Sequence, residues 1–377
     1  MIPSLRANVR ALGHWEFRNF EIRDSESSRS ILVARPNGPD VGYILWYSFR
    51  EQHSDPQPAL LSDSIQTDGL VSNHVVSSAL QITMAAQCIK SNACFGGIQY
   101  KFKHASRELT CEMTFSVFVP GQAQASATSS SPSPSSYPVL YYLSGLTCTD
   151  DNVVQKSGIQ RGAARCNVAV VCPDTSPRGL GYPGEDDSWD FGTGAGFYVN
   201  ATTSPWKEGY RMDAYVTSEL PAVLAATPEL SPHLNLKKAS IMGHSMGGHG
   251  ALVLALRNPG MYASVSAFAP ICHPSVVPWG KKAFGGYLGD DEEAWRSYDA
   301  CALVSGYSGE KIEVLMDTGT ADEFLEEQLR VEDLVASAAG NDRVAVTSRM
   351  NEGYDHSYFT VATFVEDHVA FHAARLV

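Results

Sequence analysis

One pentapeptide, Gly243-His244-Ser245-Met246-Gly247, constrains this 377-residue chain more than any other stretch. It is a G-x-S-x-G sequence with an apolar run before it, residues 239–242, and a helical pattern after it, residues 251–257. A strand, a sharp turn and a helix in this order are the setting of a nucleophile elbow. The pattern predicts that Ser245 is a nucleophile at a helix N-terminus, where free amides and the helix dipole favour negative charge.

Short apolar runs recur beyond residue 136 at the spacing of alternating strands and helices. The runs are 137–143, 167–172, 239–242, 264–269, 312–316 and 344–350, with helical patterns such as 214–224 and 323–339 between them. Continuous apolar runs of this length fit buried parallel strands. The stretch 111–120 alternates and predicts a half-buried strand. We therefore predict an α/β-hydrolase fold, a doubly wound and mostly parallel sheet with its ligands beyond the carboxyl ends of the strands.

The first 83 residues differ from the rest, because they show no sustained helical or alternating period. We interpret them as an N-terminal extension that is disordered, a targeting segment or an artefact of the gene model. Residues 84–377 are predicted to form a single catalytic domain. Within it, residues 121–136 are rich in Ala, Ser, Pro and Gln, which predicts a flexible loop.

Composition excludes several classes of function. A net charge of −13 argues against binding nucleic acid. No apolar run reaches the roughly 18 residues of a membrane-spanning helix, and no secretory signal peptide is visible. The eight cysteines form no C-x-x-C pair, and no cluster of ligand residues predicts a metal site. Cys172 and Cys301 lie among apolar residues and predict buried thiols in a reducing compartment, the cytoplasm.

A serine nucleophile needs a histidine base, which in this fold follows it in the chain. His356 lies in the loop after the last predicted strand, where the base belongs. His249 falls in the first turn of the helix after Ser245 and should point away from it. His368 and His372 are four residues apart in a terminal helical pattern and are predicted to be surface residues.

The acid that orients the base should follow the penultimate strand. Asp317 comes directly after the apolar run 312–316, and Asp322 lies further into the loop. The residues alone leave these two candidates close to even, since Asp322 could equally cap the helical pattern that follows it.

An oxyanion hole requires two backbone donors beside the nucleophile. Met246 N–H, directly after Ser245, is the first candidate. The second is Leu146 N–H, in the loop 144–148 after the strand 137–143. Cys148 falls in the same loop and either lines the site or has a structural role.

At this level of detail the chain resembles a known family. From about residue 84 to 377 it is similar to S-formylglutathione hydrolase, also called esterase D, in the stretches 143–149, 173–179, 188–198, 243–250, 278–284 and 352–358. The resemblance implies Ser245 as nucleophile, His356 as base and Asp322 as acid, because the family's acid precedes a Phe-Leu pair by two positions. It also implies hydrolysis of S-formylglutathione, a small-molecule thioester, without a cofactor, and a homodimer.

A formyl thioester is small at its carbonyl, so the acyl pocket should be tight. Bulky aromatic residues could enforce this, and the candidates are Trp189, Phe191 and Trp279, with core packing as the alternative. Glutathione is anionic, so a local cation is needed despite the net charge. The candidates are Lys281, Lys282 and Arg178, each with a solvated surface role as its alternative.

Three other functions share these motifs. A broad-specificity carboxylesterase would use the same three residues. An acyltransferase would replace water by an alcohol. A non-catalytic protein of this fold would be expected to lack one of the three residues, and all three are present.

Overall fold

The structure is a computed structural model that describes residues 15–23, 28–36, 85–121 and 136–377. The chain divides into two units, Met1–Leu70 and Val71–Val377. Most of the predicted extension, 1–83, and nearly all of the predicted loop, 121–136, lie outside the described residues. The interpretation of residues 1–83 as an extension and of 84–377 as one catalytic domain stays a prediction.

The first unit contains an antiparallel pair of strands, β1 Trp15–Arg23 and β2 Ser28–Pro36. The sequence analysis predicted no strand there. In β1 the apolar residues stand at Trp15 and Phe17 but then at Phe20 and Ile22. The alternation changes phase in the middle of the strand, which hides the period of two that identifies a strand.

The second unit is built on a nine-stranded sheet in the order β11-β10-β9-β8-β6-β7-β5-β4-β3. Its strands are β3 Gln87–Cys94, β4 Gly97–Ala105, β5 Glu112–Val119, β6 Tyr137–Leu143, β7 Ala169–Pro173, β8 Leu234–His244, β9 Val265–Phe268, β10 Ile312–Gly319 and β11 Val344–Asn351. Strands β6 to β11 pair in parallel, whereas β3, β4 and β5 pair antiparallel and β5 joins β7 antiparallel. The mostly parallel α/β-hydrolase sheet is therefore confirmed.

Helices connect these strands. They are α1 Asp150–Lys156, α2 Ile159–Cys166, α3 Met212–Ala214, α4 Leu220–Ala226, α5 Met246–Arg257, α6 Pro278–Leu288, α7 Glu292–Arg296, α8 Ala300–Gly306, α9 Val331–Ala338 and α10 Tyr358–Ala373. A 3₁₀ turn spans Trp206–Glu208, and π-helical turns span Tyr215–Glu219 and Leu325–Leu329. The predicted helix 323–339 is interrupted at Arg330, which adopts a left-handed conformation with φ 53°.

Helices cover both faces of the sheet. Along β6, Leu140 and Tyr142 belong to an apolar cluster with residues of α1, α2 and α10. The alternate residues Val139, Tyr141 and Leu143 belong to a second cluster, which includes α5. Because side chains alternate across a strand, the two clusters lie on opposite sides. The sheet is thus doubly wound, and the ends of β8, β10 and β11 meet at one edge.

Helix α10 corrects one prediction. His368 and His372 were expected at the surface, but both are fully buried. Their rings hydrogen-bond Ser264 and Ser266 on the adjacent sheet. Buried polar groups are stable where they find such partners, and serines that look unremarkable in the sequence supply them. Among the helices that the structure describes, none has the length and apolar content needed to span a bilayer.

Candidate active site

Ser245 stands at the sharp turn between β8 and α5. Its backbone has φ 57° and ψ −120°, a region that non-glycine residues rarely adopt. Its N–H donates to the carbonyl of Phe268 (2.9 Å), and its carbonyl accepts from the N–H of His249 (3.0 Å). These bonds hold the strained residue at the edge of the sheet, in the geometry that the G-x-S-x-G pattern predicts.

Two glycines make this turn possible. A Cβ on Gly243 would lie 2.1 Å from the carbonyl oxygen of Gly247. A Cβ on Gly247 would lie 2.0 Å from the carbonyl oxygen of Leu143. Both contacts are with backbone, which cannot move aside as a flexible side chain could. The approach of helix to strand therefore requires glycine at both positions.

His356 and Asp322 form a hydrogen-bonded pair beside this turn. Nδ1 of His356 lies 2.6 Å from Oδ2 of Asp322, and Oδ1 of Asp322 accepts from the N–H of Phe324 (2.9 Å). The carboxyl group is fully buried, whereas the His356 side chain is 16% exposed. An ionised carboxylate can only accept, so Nδ1 carries the proton and Nε2 is left as an acceptor. This arrangement is what a general base requires.

The loops that carry these two residues are joined by backbone hydrogen bonds. The N–H of Thr320 donates to the carbonyl of Asn351, and that of Ala321 donates to the carbonyl of Tyr354, both at 2.9 Å. A Cβ on Gly319 would lie 2.0 Å from the Tyr354 oxygen, so the loops touch directly. The position of Asp322 relative to His356 is therefore fixed by the ends of β10 and β11.

His356 also contacts His244, the residue that precedes Ser245. The ring centroids of His356 and His244 are 4.7 Å apart. Burial, followed by the nearby His356, holds the pKa of His244 well below its usual value, so this ring is neutral. A second ring, Phe324, meets His356 edge-on at 4.9 Å. Sequence reasoning used Phe324 only as a marker of the acid and missed this contact.

Asp317, the other candidate acid, forms its hydrogen bonds with residues other than His356. Its carboxylate is fully buried and hydrogen-bonds His368 at 2.7 Å, Asn351 at 2.8 Å and both Nε and Nη2 of Arg349. Burial would raise the pKa of Asp317, but the hydrogen bonds from His368, Arg349 and Asn351 outweigh it and bring the pKa to about 2. The structure thus places Asp322, and not Asp317, against His356.

The loop 144–148 runs beside Ser245. A Cβ on Gly145 would lie 3.1 Å from Cβ of Ser245. Met246 N–H is the first amide of α5 and has no partner within the helix. Among the described residues, neither Met246 N–H nor Leu146 N–H donates to a protein acceptor. Both amides are therefore free to meet a developing oxyanion.

Neighbouring residues hold this loop in place. The N–H of Thr147 donates to the carbonyl of Gly194 (2.9 Å). The carbonyl of Cys148 accepts from Oγ1 of Thr175 (2.6 Å) and from Nη2 of Arg178 (3.1 Å). The Cys148 thiol is half-buried, and burial raises its pKa. The backbone of Cys148 is thus anchored from two sides, and its thiol is mostly protonated at neutral pH.

Known proteins resemble this chain over most of its length. The sequence model of the Esterase family, described as "Putative esterase", matches residues 106–373. The S-formylglutathione hydrolase of Mus musculus is 53% identical over 293 residues, which are 78% of this chain and 99% of that protein. That of Arabidopsis thaliana is 49% identical over 288 residues, 76% and 97% of the two chains. The chain belongs to the S-formylglutathione hydrolase family. The resemblance seen in the motifs is confirmed, and with it the assignment to the hydrolase class of enzymes.

A solved member of this family has the same fold. The structure of an S-formylglutathione hydrolase from Agrobacterium tumefaciens superimposes with a TM-score of 0.70 at 46% identity. The match covers 77% of this chain and 100% of that one. The whole length of a family member is therefore represented here.

In this member of the S-formylglutathione hydrolase family, a row of aromatic rings leads from the protein surface to His356. Trp189 is 56% exposed and meets Trp279 edge-on, with the centroids 5.6 Å apart. Trp279 lies 4.7 Å from Phe324, which in turn meets His356. Phe191 is not in this row, because it stacks on Tyr287 at 4.5 Å. Trp189 and Trp279 can therefore line an approach to His356, whereas Phe191 is partly buried and packs against the core.

The three candidate cations have different surroundings. Lys282 donates to Oγ of Ser188 (2.9 Å) and pairs with Asp190. Arg178 binds the carboxylate of Asp174 with two nitrogens at 2.8 Å. Lys281 is exposed and, among the described residues, pairs with no acid. Of these three residues, Lys281 has its charge available for an anionic ligand.

The described residues also limit what else the site could hold. Within them, no group of three or more His, Cys, Asp or Glu side chains is placed to hold a metal ion. The cleft next to His356 is lined by Ala321, Glu323, Phe324, Asp355 and Ser357. Its two carboxylates, those of Glu323 and Asp355, are exposed and repel an anion, so the attraction for an anionic substrate has to come from other residues.

Proposed function

We propose that this chain hydrolyses S-formylglutathione to formate and glutathione, the hydrolytic step of glutathione-dependent formaldehyde removal. The observation that carries the proposal is the 2.6 Å contact between His356 and Asp322 beside the strained Ser245, in a member of this family. The match to relatives over nearly their whole length supports the choice of substrate.

In the first half of the reaction, Oγ of Ser245 attacks the formyl carbonyl and its proton passes to Nε2 of His356. Asp322 keeps the ring in the required tautomer and stabilises the imidazolium. Met246 N–H and Leu146 N–H receive the negative charge on the carbonyl oxygen. The C–S bond then breaks, and the proton on His356 goes to the leaving sulfur, which releases glutathione.

In the second half of the reaction, a water molecule enters the position that glutathione has left. Its proton passes to His356, its oxygen attacks the formyl carbon, and the bond to Ser245 breaks as the serine takes the proton back. Formate leaves and the free enzyme is restored. No cofactor is required, since Ser245 carries the acyl group throughout.

The substrate can be tested against the alternative of a broad-specificity carboxylesterase. We expect kcat/KM on S-formylglutathione to exceed that on S-acetylglutathione and p-nitrophenyl acetate, because the row of aromatic rings favours a small acyl group. Ser245→Ala is the control and should lower kcat on the order of 10⁶-fold. A flat profile, or a preference for the aryl ester, would favour the carboxylesterase.

The glutathione portion can be tested separately. Lys281→Ala should lower kcat/KM on S-formylglutathione about two- to fivefold, since an exposed charge contributes little. Lys282→Ala is the matched control, because Lys282 is already paired with Asp190. Neither variant should change kcat/KM on p-nitrophenyl acetate, which lacks the anionic tripeptide. Equal effects of the two changes would rule out a special role for Lys281.

A cytoplasmic location is part of the proposal. All eight cysteines lie within the described residues and are free thiols, as expected of a protein in a reducing compartment. The homodimer that the family resemblance implies stays a prediction.

A further inference from the structure

A continuous chain of hydrogen bonds runs through the interior between the sheet and α10. It consists of six fully buried side chains, which are Ser240, Ser264, His372, Ser266, His368 and Asp317. The successive contacts are 2.9, 2.7, 2.8, 2.8 and 2.7 Å. The proposed reaction uses none of these residues, although the chain ends at the base of the loops that carry Asp322 and His356.

One arrangement of protons satisfies every polar atom in this chain. The carboxylate of Asp317 can only accept, so Nε2 of His368 donates to it and Nδ1 of His368 accepts from Ser266. Ser266 then has to accept from Nε2 of His372, whose Nδ1 accepts from Ser264. Ser240 supplies the last donor. In this arrangement both rings are neutral, in agreement with burial, which lowers the pKa of His368 and of His372.

At its other side, the Asp317 carboxylate bridges two strands. Asp317 belongs to β10, and it accepts from Arg349 and Asn351 of β11. The carbonyl of Asn351 in turn accepts from the N–H of Thr320 at 2.9 Å. In addition to the backbone pairing of β10 and β11, one carboxylate therefore links the two strands near the point where the loops of Asp322 and His356 leave them.

We propose that Asp317 is a positioning residue for the Asp322–His356 pair and acts through Asn351 and the end of β11. The inference rests on the proposed function only in that Asp322 and His356 are taken as the acid and the base. A buried charge is a poor source of stability, because its desolvation offsets the attraction. Positioning the catalytic groups is the stronger reason for this buried charge. A mutation far from the chemistry that misplaces the reacting groups by about 1 Å can lower the rate about 10²-fold.

The test compares three variants. Asp317→Asn replaces the carboxylate by an amide, whose NH2 group adds a donor where four donors converge. Asn351→Ala removes the bond from Asp317 to the last residue of β11 but leaves its contacts with His368 and Arg349. Ser264→Ala is the control, because it breaks the same chain at its far end. The kinetic constants on p-nitrophenyl acetate are measured well below the melting temperature of each variant. The low-field NMR resonance of the proton between His356 and Asp322 is recorded in parallel.

We expect Asp317→Asn and Asn351→Ala to lower kcat on the order of 10-fold or more with little change in KM, and to shift the His356 proton resonance. Ser264→Ala should lower only the melting temperature. If Asp317→Asn does not fold, Asn351→Ala decides alone.

Wild-type kcat and an unshifted resonance in Asn351→Ala and in any folded Asp317→Asn would overturn the proposal. An equal loss of kcat in Ser264→Ala would also overturn it, because the loss would then not be specific to the link between Asp317 and Asn351. An inactive wild-type protein would contradict the proposed function instead. The resonance would still test the positioning role in that case.

Discussion

At the scale of single residues, Asp317 and Asp322 show what a sequence can and cannot resolve. The apolar run suggests that the strand ends at Met316, which puts both acids in the following loop. In the structure β10 continues to Gly319, so Asp317 lies within the strand and faces His368. Only Asp322 lies in the loop. The extent of a strand depends on pairing with its neighbours, which are distant in the chain, so residue types alone left the choice open.

The proposed role of Asp322 also provides a sharp prediction. Asp322→Asn should lower kcat on the order of 10⁴-fold, because an amide can donate to Nδ1 and so favours the wrong tautomer of His356. Steady-state kinetics on p-nitrophenyl acetate, with the melting temperature measured alongside, give the answer. Glu327→Gln is the matched control, the same chemical change at an exposed position of a neighbouring turn. Comparable activity in the two variants would show that Asp322 is not the acid.

At the scale of elements, the parallel strands were predicted to within three residues at each end, except that β8 begins five residues earlier than predicted, whereas β3 and β4 were not predicted. The inner parallel strands, β6 to β10, are mostly buried and contain continuous apolar runs, whereas β11, the parallel strand at the edge, is largely exposed. In contrast, β3 is an edge strand with six of its eight residues exposed, and its sequence contains Gln, Lys, Ser and Asn. Such a strand is held by pairing with β4 and not by its own pattern, so the sequence alone gives little indication of it.

The turn between β8 and α5 allows a prediction at this scale. Gly247→Ala should lower the free energy of unfolding by about 1–3 kcal/mol or more, because its Cβ would meet the backbone of Leu143 at 2.0 Å. Gly306→Ala is the control, since a Cβ at that helical position meets nothing within 4 Å. It should leave stability unchanged or raise it by up to about 1 kcal/mol. Urea unfolding measures both, and equal stabilities would mean that the turn relaxes easily.

At the scale of the whole molecule, the fold and family could be predicted because their signals are local and repeated. The sequence could not predict the surroundings of the three candidate cations, Lys281, Lys282 and Arg178. Lys282 is paired with Asp190, 92 positions away in the chain, and Arg178 anchors the loop of Cys148. Whether a cation is free depends on such distant contacts. For the same reason His368 and His372, which have ordinary helical spacing, gave no sign of their burial.

The last prediction concerns the first unit of the chain. A chain that starts at Met84 should keep kcat/KM and the melting temperature, because Ser245, Asp322 and His356 lie in the second unit. The mouse relative supports this, since nearly all of its length matches 78% of this chain. A chain that starts at Gly97 is the control. It lacks β3, so it exposes the edge of β4 and should melt at a lower temperature or aggregate. If the chain from Met84 folds equally well but has a lower kcat/KM, the first unit contributes to activity and cannot be a mere extension.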